Sequence, residues 1–364
     1  MLIYDLSERD PTVLIYTVGD ALKSVDLRSG SHATLLETSD GALQQRTGSI
    51  GSPVAVAYDS NANRVYWSSD VGGQAIVGVH LATDGARRGN EDVVKPEQTA
   101  VDSVYVVLNG TDISHPEGID IDWLNSKLYI AERGRNRILA CDIPAVDQEG
   151  PGWRQAVKPE CVTVANARNS VRGLAVHPKI GRLFWTDWGT QEPGIEGAAM
   201  DGTDRRWVIR NDDIVWPNGI TLDPTQDRIY WTDAKLGRIE RCDFDGNQRE
   251  TVVSDIPHPF DVAVFENRVY WSDWDTKTIQ VADKVTGLRR QTLIHEVQIP
   301  SGIFIYHPLL QPKLNNPCDS IACNPRRHSL CLLKNSQSGA CTNGTSSKSL
   351  ASIGYSPDPD EKCK

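Results

Sequence analysis

The stretch that decides the fold runs from residue 217 to residue 233 and reads PNGITLDPTQDRIYWTD. It holds a short apolar segment that opens at Pro217, a polar turn, and an aromatic segment centred on Tyr230-Trp231. Short runs of β-branched and aromatic residues bounded by turn-forming residues predict two antiparallel strands. The pattern recurs along the chain, so these strands belong to a repeated unit.

The apolar first strand occurs six times in the 364 residues. Successive copies start 63, 55, 46, 42 and 41 residues apart, close to the ~40–50 residues of one four-stranded propeller blade. An aromatic strand follows each of the first five copies, and two weaker strands follow it. A helical solenoid would need a 3.6-residue apolar period, which the chain does not show. The copies begin at Pro53, Pro116, Val171, Pro217, Pro259 and Pro300.

The two ends of the repeat array complement each other. The sixth first strand, at 300–306, has no aromatic strand behind it, whereas Leu14-Ile15-Tyr16-Thr17 reads as a second strand with no first strand before it. Pairing the two would complete a blade and remove the open edges of the ring. We therefore predict an all-β chain whose residues 1–310 form a six-bladed β-propeller closed by its N- and C-terminal strands.

Composition narrows the function classes. The net charge is −10 and the pI about 5.3, which disfavours nucleic acid and anionic lipid and favours basic patches on partners. No apolar run approaches the ~18 residues of a membrane span, and residues 1–5 do not begin a signal peptide. Five of the eight cysteines fall within 318–364, as in secreted proteins. These features predict an extracellular ectodomain fragment, or an incomplete product, of a longer secreted or cell-surface protein.

The aromatic strands carry a resemblance to a known family. They read Trp185-Thr186-Asp187-Trp188, Tyr230-Trp231-Thr232-Asp233 and Tyr270-Trp271-Ser272-Asp273-Trp274. These resemble the YWTD, or class B, repeats of the low-density-lipoprotein receptor family, and the likeness covers residues 14–363. The resemblance implies a YWTD propeller in which the buried aspartate of each motif joins neighbouring blades.

The motif departs from the family pattern in the first half of the ring. The third blade has Tyr129-Ile130-Ala131-Glu132, the second has an extra serine in Tyr66-Trp67-Ser68-Ser69-Asp70, and the N-terminal strand lacks the motif after Tyr16. A buried carboxylate costs several kcal/mol unless it is satisfied. We therefore expect this half of the ring to be held less uniformly than the other.

The resemblance also implies an EGF-like module behind the propeller. Residues 311–317 are proline-rich and read as a stiff linker, and residues 318–364 form a segment too short to fold without disulfides. The family module carries six cysteines, paired first to third, second to fourth and fifth to sixth. The resemblance implies the pairs Cys318–Cys331 and Cys323–Cys341.

One cysteine of the module is missing. Asn343 stands where the fifth cysteine would be, which leaves Cys363 unpaired. Asn315-Asn316-Pro317 lacks the acidic pair of a calcium-binding module, so we expect no calcium.

In the propeller, Cys141 and Cys161 lie on adjacent predicted strands and either pair or remain two buried thiols; Cys242 has no obvious partner. The sequons at Asn109-Gly110-Thr111 and Asn343-Gly344-Thr345 predict glycosylation of Asn109 and Asn343.

The repeat also places a candidate binding site. First and second strands are antiparallel neighbours, so the start of one and the end of the other meet on one rim, the top rim; the ends of the first strands, with His177 and His307, form the bottom rim. Aromatic, arginine and asparagine side chains around one mouth are typical of a protein-binding hot spot. The alternative is that these rings only pack between blades. The predicted ligand-binding residues are Arg172, Trp188, Trp216, Asn218, Phe260 and Trp274.

The resemblance implies protein ligands on the top face: Wnt-pathway antagonists, basement-membrane proteins with an asparagine-containing loop, or cargo released in acidic endosomes. We expect extracellular protein partners with a basic or asparagine-containing loop, no nucleic acid, and membrane contact only through a parent single-pass receptor. Asn218 matches a position that contacts the ligand in members of the family that this chain resembles. We expect its amide to point into the mouth; the alternative is a bond to the neighbouring blade. His115 and His258 precede first-strand prolines and are candidate pH sensors, or else solvated histidines without a role.

A rival interpretation is an enzyme of the lactonase type, a six-bladed propeller that holds a divalent metal at its mouth. Glu117, Asn218 and Asp261 lie near first-strand starts and offer oxygen ligands suited to calcium. The YWTD repeats and the EGF-like tail argue against it. The chain also lacks GxSxG, HExxH, P-loop and CxxC motifs. We therefore predict a binding module with no catalytic residue, metal or cofactor.

Overall fold

The computed structural model describes residues 12–37, 51–71, 75–81, 101–143, 159–210, 213–323 and 329–343. Within them, six four-stranded antiparallel sheets follow one another around a central channel. This confirms the predicted six-bladed β-propeller. We number the blades I to VI, beginning with the one that holds the N-terminal strand.

Each blade runs from a first strand at the channel to a fourth strand at the outer edge. Short 3₁₀ turns occupy Arg133–Arg135, Pro178–Ile180 and Pro308–Leu310. The strands are, in blade I, β24 (Pro300–Tyr306), β1 (Val13–Val18), β2 (Ala21–Asp26) and β3 (His32–Glu37); in blade II, β4 (Ser52–Asp59), β5 (Arg64–Val71), β6 (Ala75–Leu81) and β7 (Val101–Asn109); in blade III, β8 (Pro116–Asp122), β9 (Lys127–Glu132), β10 (Arg137–Asp142) and β11 (Cys161–Asn166); in blade IV, β12 (Val171–His177), β13 (Arg182–Asp187), β14 (Gly194–Ala199) and β15 (Arg206–Arg210); in blade V, β16 (Pro217–Asp223), β17 (Arg228–Asp233), β18 (Arg238–Asp243) and β19 (Glu250–Val253); and in blade VI, β20 (Pro259–Phe265), β21 (Arg268–Asp273), β22 (Thr278–Asp283) and β23 (Gln291–His295).

The ring closes as the sequence predicts. Strand β24 pairs antiparallel with β1, with Val13 opposite Tyr306 and Leu14 opposite Ile305. The last first strand of the chain thereby joins the N-terminal second strand in blade I. Closure removes two sheet edges that would otherwise be open to pairing with other chains.

The motif hydroxyl joins neighbouring blades. In blade V the register slips between Pro217 and Ile220, so the backbone of Gly219 has no partner on β17. Thr232 Oγ1 accepts the Gly219 N–H at 3.1 Å and donates to the Phe260 carbonyl of blade VI at 2.8 Å. The same bridge is made by Thr17, Ser68, Thr186 and Ser272.

The motif aspartate has a different task from the one the family resemblance implies. Asp233 is buried but accepts the N–H groups of Val215, Trp216 and Lys235, all next to its own blade. It therefore shapes the top loops, while the hydroxyl before it makes the bond to the next blade. The expectation that the aspartate joins blades was wrong in this respect.

Two departures from the motif have structural consequences in blades II and III. Ser69 pairs with Pro53 as Asp233 pairs with Pro217, so Ser69 takes the aspartate position and Asp70 moves one residue towards the top rim. In blade III, Ala131 carries no hydroxyl, so this blade lacks the bridge to blade IV. The first half of the ring is thus joined less uniformly, as expected.

The C-terminal segment packs under blades III and IV. Strands β25 (Ser329–Asn335) and β26 (Ser338–Asn343) form a hairpin, and disulfides join Cys318 to Cys331 and Cys323 to Cys341. Leu332 and Leu333 are fully buried in a cluster with propeller side chains, because the hairpin lacks a core of its own. Cys363 and the rest of the sequon after Asn343 lie outside the described residues.

Candidate functional site

A β-bulge aims side chains at the mouth of the channel. In blades III to VI the register between first and second strands slips just after the strand begins, as between Pro116 and Ile119. A bulge bends the strand and redirects one side chain. The residues at the second position of these four strands are Glu117, Arg172, Asn218 and Phe260.

Arg172 is the centre of the mouth. Its Nη1 donates to Asn218 Oδ1 at 2.7 Å, and its Nε lies 3.3 Å from Glu117 Oε2. The guanidinium lies 4.2 Å from the Trp188 ring centroid and 5.7 Å from that of Phe260. Burial lowers the pKa of Arg172, and the Glu117 carboxylate acts in the opposite direction. The planar cation is therefore held in one orientation, as stacked and hydrogen-bonded arginines are.

A row of alternating charges continues from Arg172 across blades III and II. Arg133 Nε donates to Glu117 Oε1 at 2.6 Å, and its Nη2 lies 3.0 Å from Asp70 Oδ2. The order is thus Asp70, Arg133, Glu117, Arg172, two acids and two bases. This half of the mouth is polar and balanced in charge.

The other half of the mouth is aromatic. The Phe260 and Trp274 rings stack with centroids 4.4 Å apart, and the His258 ring stacks on Trp274 at 5.4 Å. Trp216 keeps 39% of its surface exposed, with the Lys235 ammonium 5.3 Å from its ring centroid. The stack around the central arginine therefore joins blades IV and VI, and the Trp216 ring of blade V adds apolar surface facing solvent.

Asn218 does not lie as the sequence predicts. It is only 2% exposed, and its Nδ2 donates to the Pro259 carbonyl of blade VI at 3.3 Å while its Oδ1 accepts from Arg172. Both ends of the amide are engaged within the protein, because a buried amide must be satisfied there. The expectation that this amide points into the mouth was wrong, and the alternative of a bond to the neighbouring blade holds.

The structure joins most of the predicted site residues and adds three that the sequence analysis missed. Arg172, Trp188, Phe260 and Trp274 form one stack, whereas Trp216 stands apart on blade V. The missed residues are Asp70, Arg133 and Glu117 in its role as partner of two arginines. The signal was available: Asp70 and Arg133 follow the motif position directly, as Trp188 and Trp274 do in their blades.

The two candidate pH sensors lie on opposite blades. His115 is half-buried on blade III, with Nδ1 3.1 Å from Ser114 Oγ. His258 on blade VI belongs to the aromatic stack, and its Nδ1 lies 3.9 Å from Asp275 Oδ1. His258 thus lies in the aromatic half of the mouth, and His115 lies beside the polar half, where its carbonyl accepts the Arg133 N–H at 3.0 Å.

The three oxygen ligands of the rival interpretation have protein partners. Glu117 is paired with two arginines and Asn218 is satisfied on both sides. Asp261 accepts the N–H groups of Val262 and Ile303, each at 2.9 Å. Over the part of the chain that the structure describes, no group of three or more His, Cys, Asp or Glu side chains could hold a metal ion.

The remaining predicted residues are placed as follows. A disulfide joins Cys141 and Cys161, which stand opposite each other on β10 and β11, and Cys242 is buried, which raises the pKa of its thiol to about 12. Asn109 is exposed on a turn in which its Oδ1 accepts from Thr111 N and Oγ1. No helix among the described residues has the length and apolar character needed to cross a membrane.

The closed six-bladed ring, its motif strands and the disulfide-bonded hairpin together define a YWTD propeller module followed by an EGF-like module. Residues 181–224, 227–266 and 267–307 match the low-density lipoprotein receptor repeat class B family. The chain belongs to the low-density-lipoprotein receptor family.

Two of its relatives in that family are named as vitellogenin receptors. The chain is 31% identical over 94% of its length to the vitellogenin receptor Yl of Drosophila melanogaster, of which it covers 15%. It is 32% identical over 70% of its length to the vitellogenin receptor of Solenopsis invicta, of which it covers 13%. A human low-density lipoprotein receptor-related protein 5-like protein is 30% identical over 50% of the chain, and the match covers 67% of that protein. The chain thus corresponds to a small part of the two vitellogenin receptors.

A solved structure shares the fold. A chain from the crystal structure of a nidogen/laminin complex superposes with a TM-score of 0.63 and 21% identity, over 81% of this chain and 98% of the other. The likeness establishes the propeller architecture independently of the motif.

Proposed function

We propose that this chain is the ligand-binding module of an extracellular receptor and that it takes protein ligands on the top face of the propeller. The observation that supports this most is the stack of Trp188, Arg172, Phe260 and Trp274 around one mouth. Rigid aromatic and arginine side chains at a partly desolvated centre are the residues that dominate protein interfaces. The role is non-catalytic, and the division into a propeller of 1–310, a linker of 311–317 and a module of 318–364 is part of the proposal.

Within this site the residues have different tasks. Arg172, Trp188, Phe260, Trp274 and the exposed Trp216 contact the ligand. Asn218 holds the guanidinium of the arginine from behind and does not touch the ligand. The imidazole of His258, stacked on Trp274 in the aromatic half, is the candidate pH sensor of the top face.

Endocytosis of a protein cargo is the favoured task. Two vitellogenin receptors match 94% and 70% of the chain, against 50% for the relative named after a low-density lipoprotein receptor-related protein. A yolk protein of the vitellogenin class is therefore the first ligand to test.

The test measures binding of purified vitellogenin to the immobilised chain by surface plasmon resonance. The double variant Trp216→Ala/Trp274→Ala should lose at least about tenfold in affinity, because hot-spot truncations cost ~2 kcal/mol or more. The matched control is Leu288→Ala, since Leu288 is exposed on the turn between β22 and β23 at the bottom of blade VI. Equal affinities of all three proteins, or an equal loss in the control, would exclude the top face.

A further inference from the structure

Two carboxylates face the central channel from opposite blades. Asp120 lies on β8 of blade III and Asp261 on β20 of blade VI, three blades away in a ring of six, and both line the channel below the mouth. Each bridges to the next blade: Asp120 Oδ2 accepts the Val176 N–H at 2.8 Å, and Asp261 Oδ2 accepts the Ile303 N–H at 2.9 Å. The other oxygens accept the N–H groups of the following residues, Asp120 Oδ1 from Ile121 and Asp261 Oδ1 from Val262, so each carboxylate oxygen holds one hydrogen bond and has a second lone pair.

The other blades close without a carboxylate at either position, whereas in blade III, which lacks the hydroxyl bridge, Asp120 also joins the strand to blade IV. Asp120 is the fifth residue of its first strand, counted from Pro116. Asp261 is the third residue of its first strand, counted from Pro259. Small or apolar residues fill both positions elsewhere, and the blades still close. The equivalents of Asp120 are Ala57, Ala175, Thr221, Ala263 and Phe304; those of Asp261 are Ala55, Gly118, Gly173, Gly219 and Gly302.

Among the described residues that line the channel, Arg172 is the one arginine or lysine. Arg172 is at the mouth and is engaged by Glu117. Deeper in the same channel lies His177, only 3% exposed, whose Nδ1 has no hydrogen-bond partner among the described residues. Burial lowers the pKa of this imidazole to about 4, so it is neutral and can accept a hydrogen bond. The charged neighbours of these groups are Glu117, Arg172, Asp122, Lys179 and Asp227.

From this arrangement we infer that the channel takes the ammonium or guanidinium head of a basic side chain, inserted from the top face and paired with Asp261 and then Asp120. The stem of a lysine or arginine is apolar and matches walls such as Val54, Leu174 and Val262. The head group supplies the cation and the donors that the two carboxylates lack. The inference concerns the chemistry of the inserted side chain and rests on the proposed function of the top face.

Proton binding should compete with this cation. Burial raises the pKa of Asp120 and of Asp261 from 3.8 to about 7, and for Asp120 the charge of Asp261 adds to the effect. A carboxyl of pKa about 7 is mostly ionised at pH 8 and about 3% ionised at pH 5.5. The basic side chain is therefore held above pH 7, where the carboxylates are ionised, and released in acid.

The experiment titrates the whole chain with Nα-acetyl-lysine methylamide by calorimetry and compares Nα-acetyl-norleucine methylamide, which has the stem without the charge. We expect the lysine compound to bind at pH 8 and its affinity to fall about 30-fold at pH 5.5, the factor for one carboxyl that must ionise. The norleucine compound should not bind at either pH. Asp120→Ala and Asp261→Gly, which install residues that other blades carry, should each weaken binding at least tenfold. Asp283→Asn, at an exposed turn of blade VI, is the matched control.

Three results would overturn the inference. They are equal binding of the two compounds, unchanged binding in both channel variants that melt like the wild type, and displacement of the lysine compound by calcium at equal concentration. Vitellogenin binding measured on the same variants separates this inference from the proposed function. If the top-face double variant loses vitellogenin while the lysine compound never binds, only the channel site fails.

Discussion

The threonine bridge between blades predicts the effect of Thr232→Val. Thr232 is fully buried, accepts the Gly219 N–H at 3.1 Å and donates to the Phe260 carbonyl at 2.8 Å. Valine keeps the shape of threonine and removes the hydroxyl. The substitution therefore leaves one buried donor and one buried acceptor without a partner, on two different blades.

The magnitude follows from these two groups. A buried backbone group that loses its only partner costs about 1–3 kcal/mol, and partial relaxation limits the sum for both to roughly 2–4 kcal/mol of unfolding free energy. The assay is urea unfolding followed by tryptophan fluorescence. Thr251→Val is the control, because Thr251 is exposed on β19 of the same blade.

Blade III offers the reverse experiment. Ala131 stands where the other blades carry Thr or Ser, so Ala131→Ser should add the missing bridge and gain about 1 kcal/mol. The reasoning is refuted if Thr232→Val costs no more than Thr251→Val, since the hydroxyl would then contribute nothing between the blades.

Three further predictions follow from other parts of the structure. Asn218→Ala should lower the free energy of unfolding by about 1–3 kcal/mol, because the Pro259 carbonyl loses its donor, and an unchanged melting temperature would contradict the role of this bond in joining the blades. The pKa of Asp120 and of Asp261 is raised from 3.8 to about 7 in the folded chain, so the stability that these two carboxyls contribute is lost as pH rises through 7. The pKa of His177 is lowered from 6.5 to about 4, so the stability that this imidazole contributes is lost as pH falls through 4. Melting temperature should therefore rise from pH 8 to pH 6.5, and a flat profile in wild type, or the same rise in Asp120→Ala/Asp261→Gly, would refute this. Asn109, exposed in a turn with Thr111, should carry a glycan in secreted material, and a bare asparagine in peptide mapping would count against an extracellular location.

The ring could be predicted from the sequence because its information is repeated. Six copies of the first strand fix the blade number, and the unpaired strands at residues 14–17 and 300–306 fix the closure. The top rim could also be predicted, since strand direction alone decides which residues share it. What these features have in common is that they depend on backbone order and not on where a single side chain turns.

The details of the site could not be predicted in the same way. The amide of Asn218 has two competing sets of partners, and only the position of the Pro259 carbonyl decides between them. Asp70 and Arg133 follow the motif position and could have been placed on the top rim, but the charge row that they form with Glu117 depends on side-chain positions that the repeat does not fix. The docking of Leu332 and Leu333 against blades III and IV likewise depends on the packed surface of the finished ring.

The central claim is that the ligand occupies the top mouth of the propeller. Hydroxyl-radical footprinting of the chain with and without bound vitellogenin tests it directly, because oxidation reports the solvent access of individual side chains. The account predicts protection of Trp216 and Trp274 on the top face, with unchanged oxidation of Leu288 at the bottom of blade VI. Protection of Leu288 with Trp216 and Trp274 left as reactive as in the free chain would contradict it.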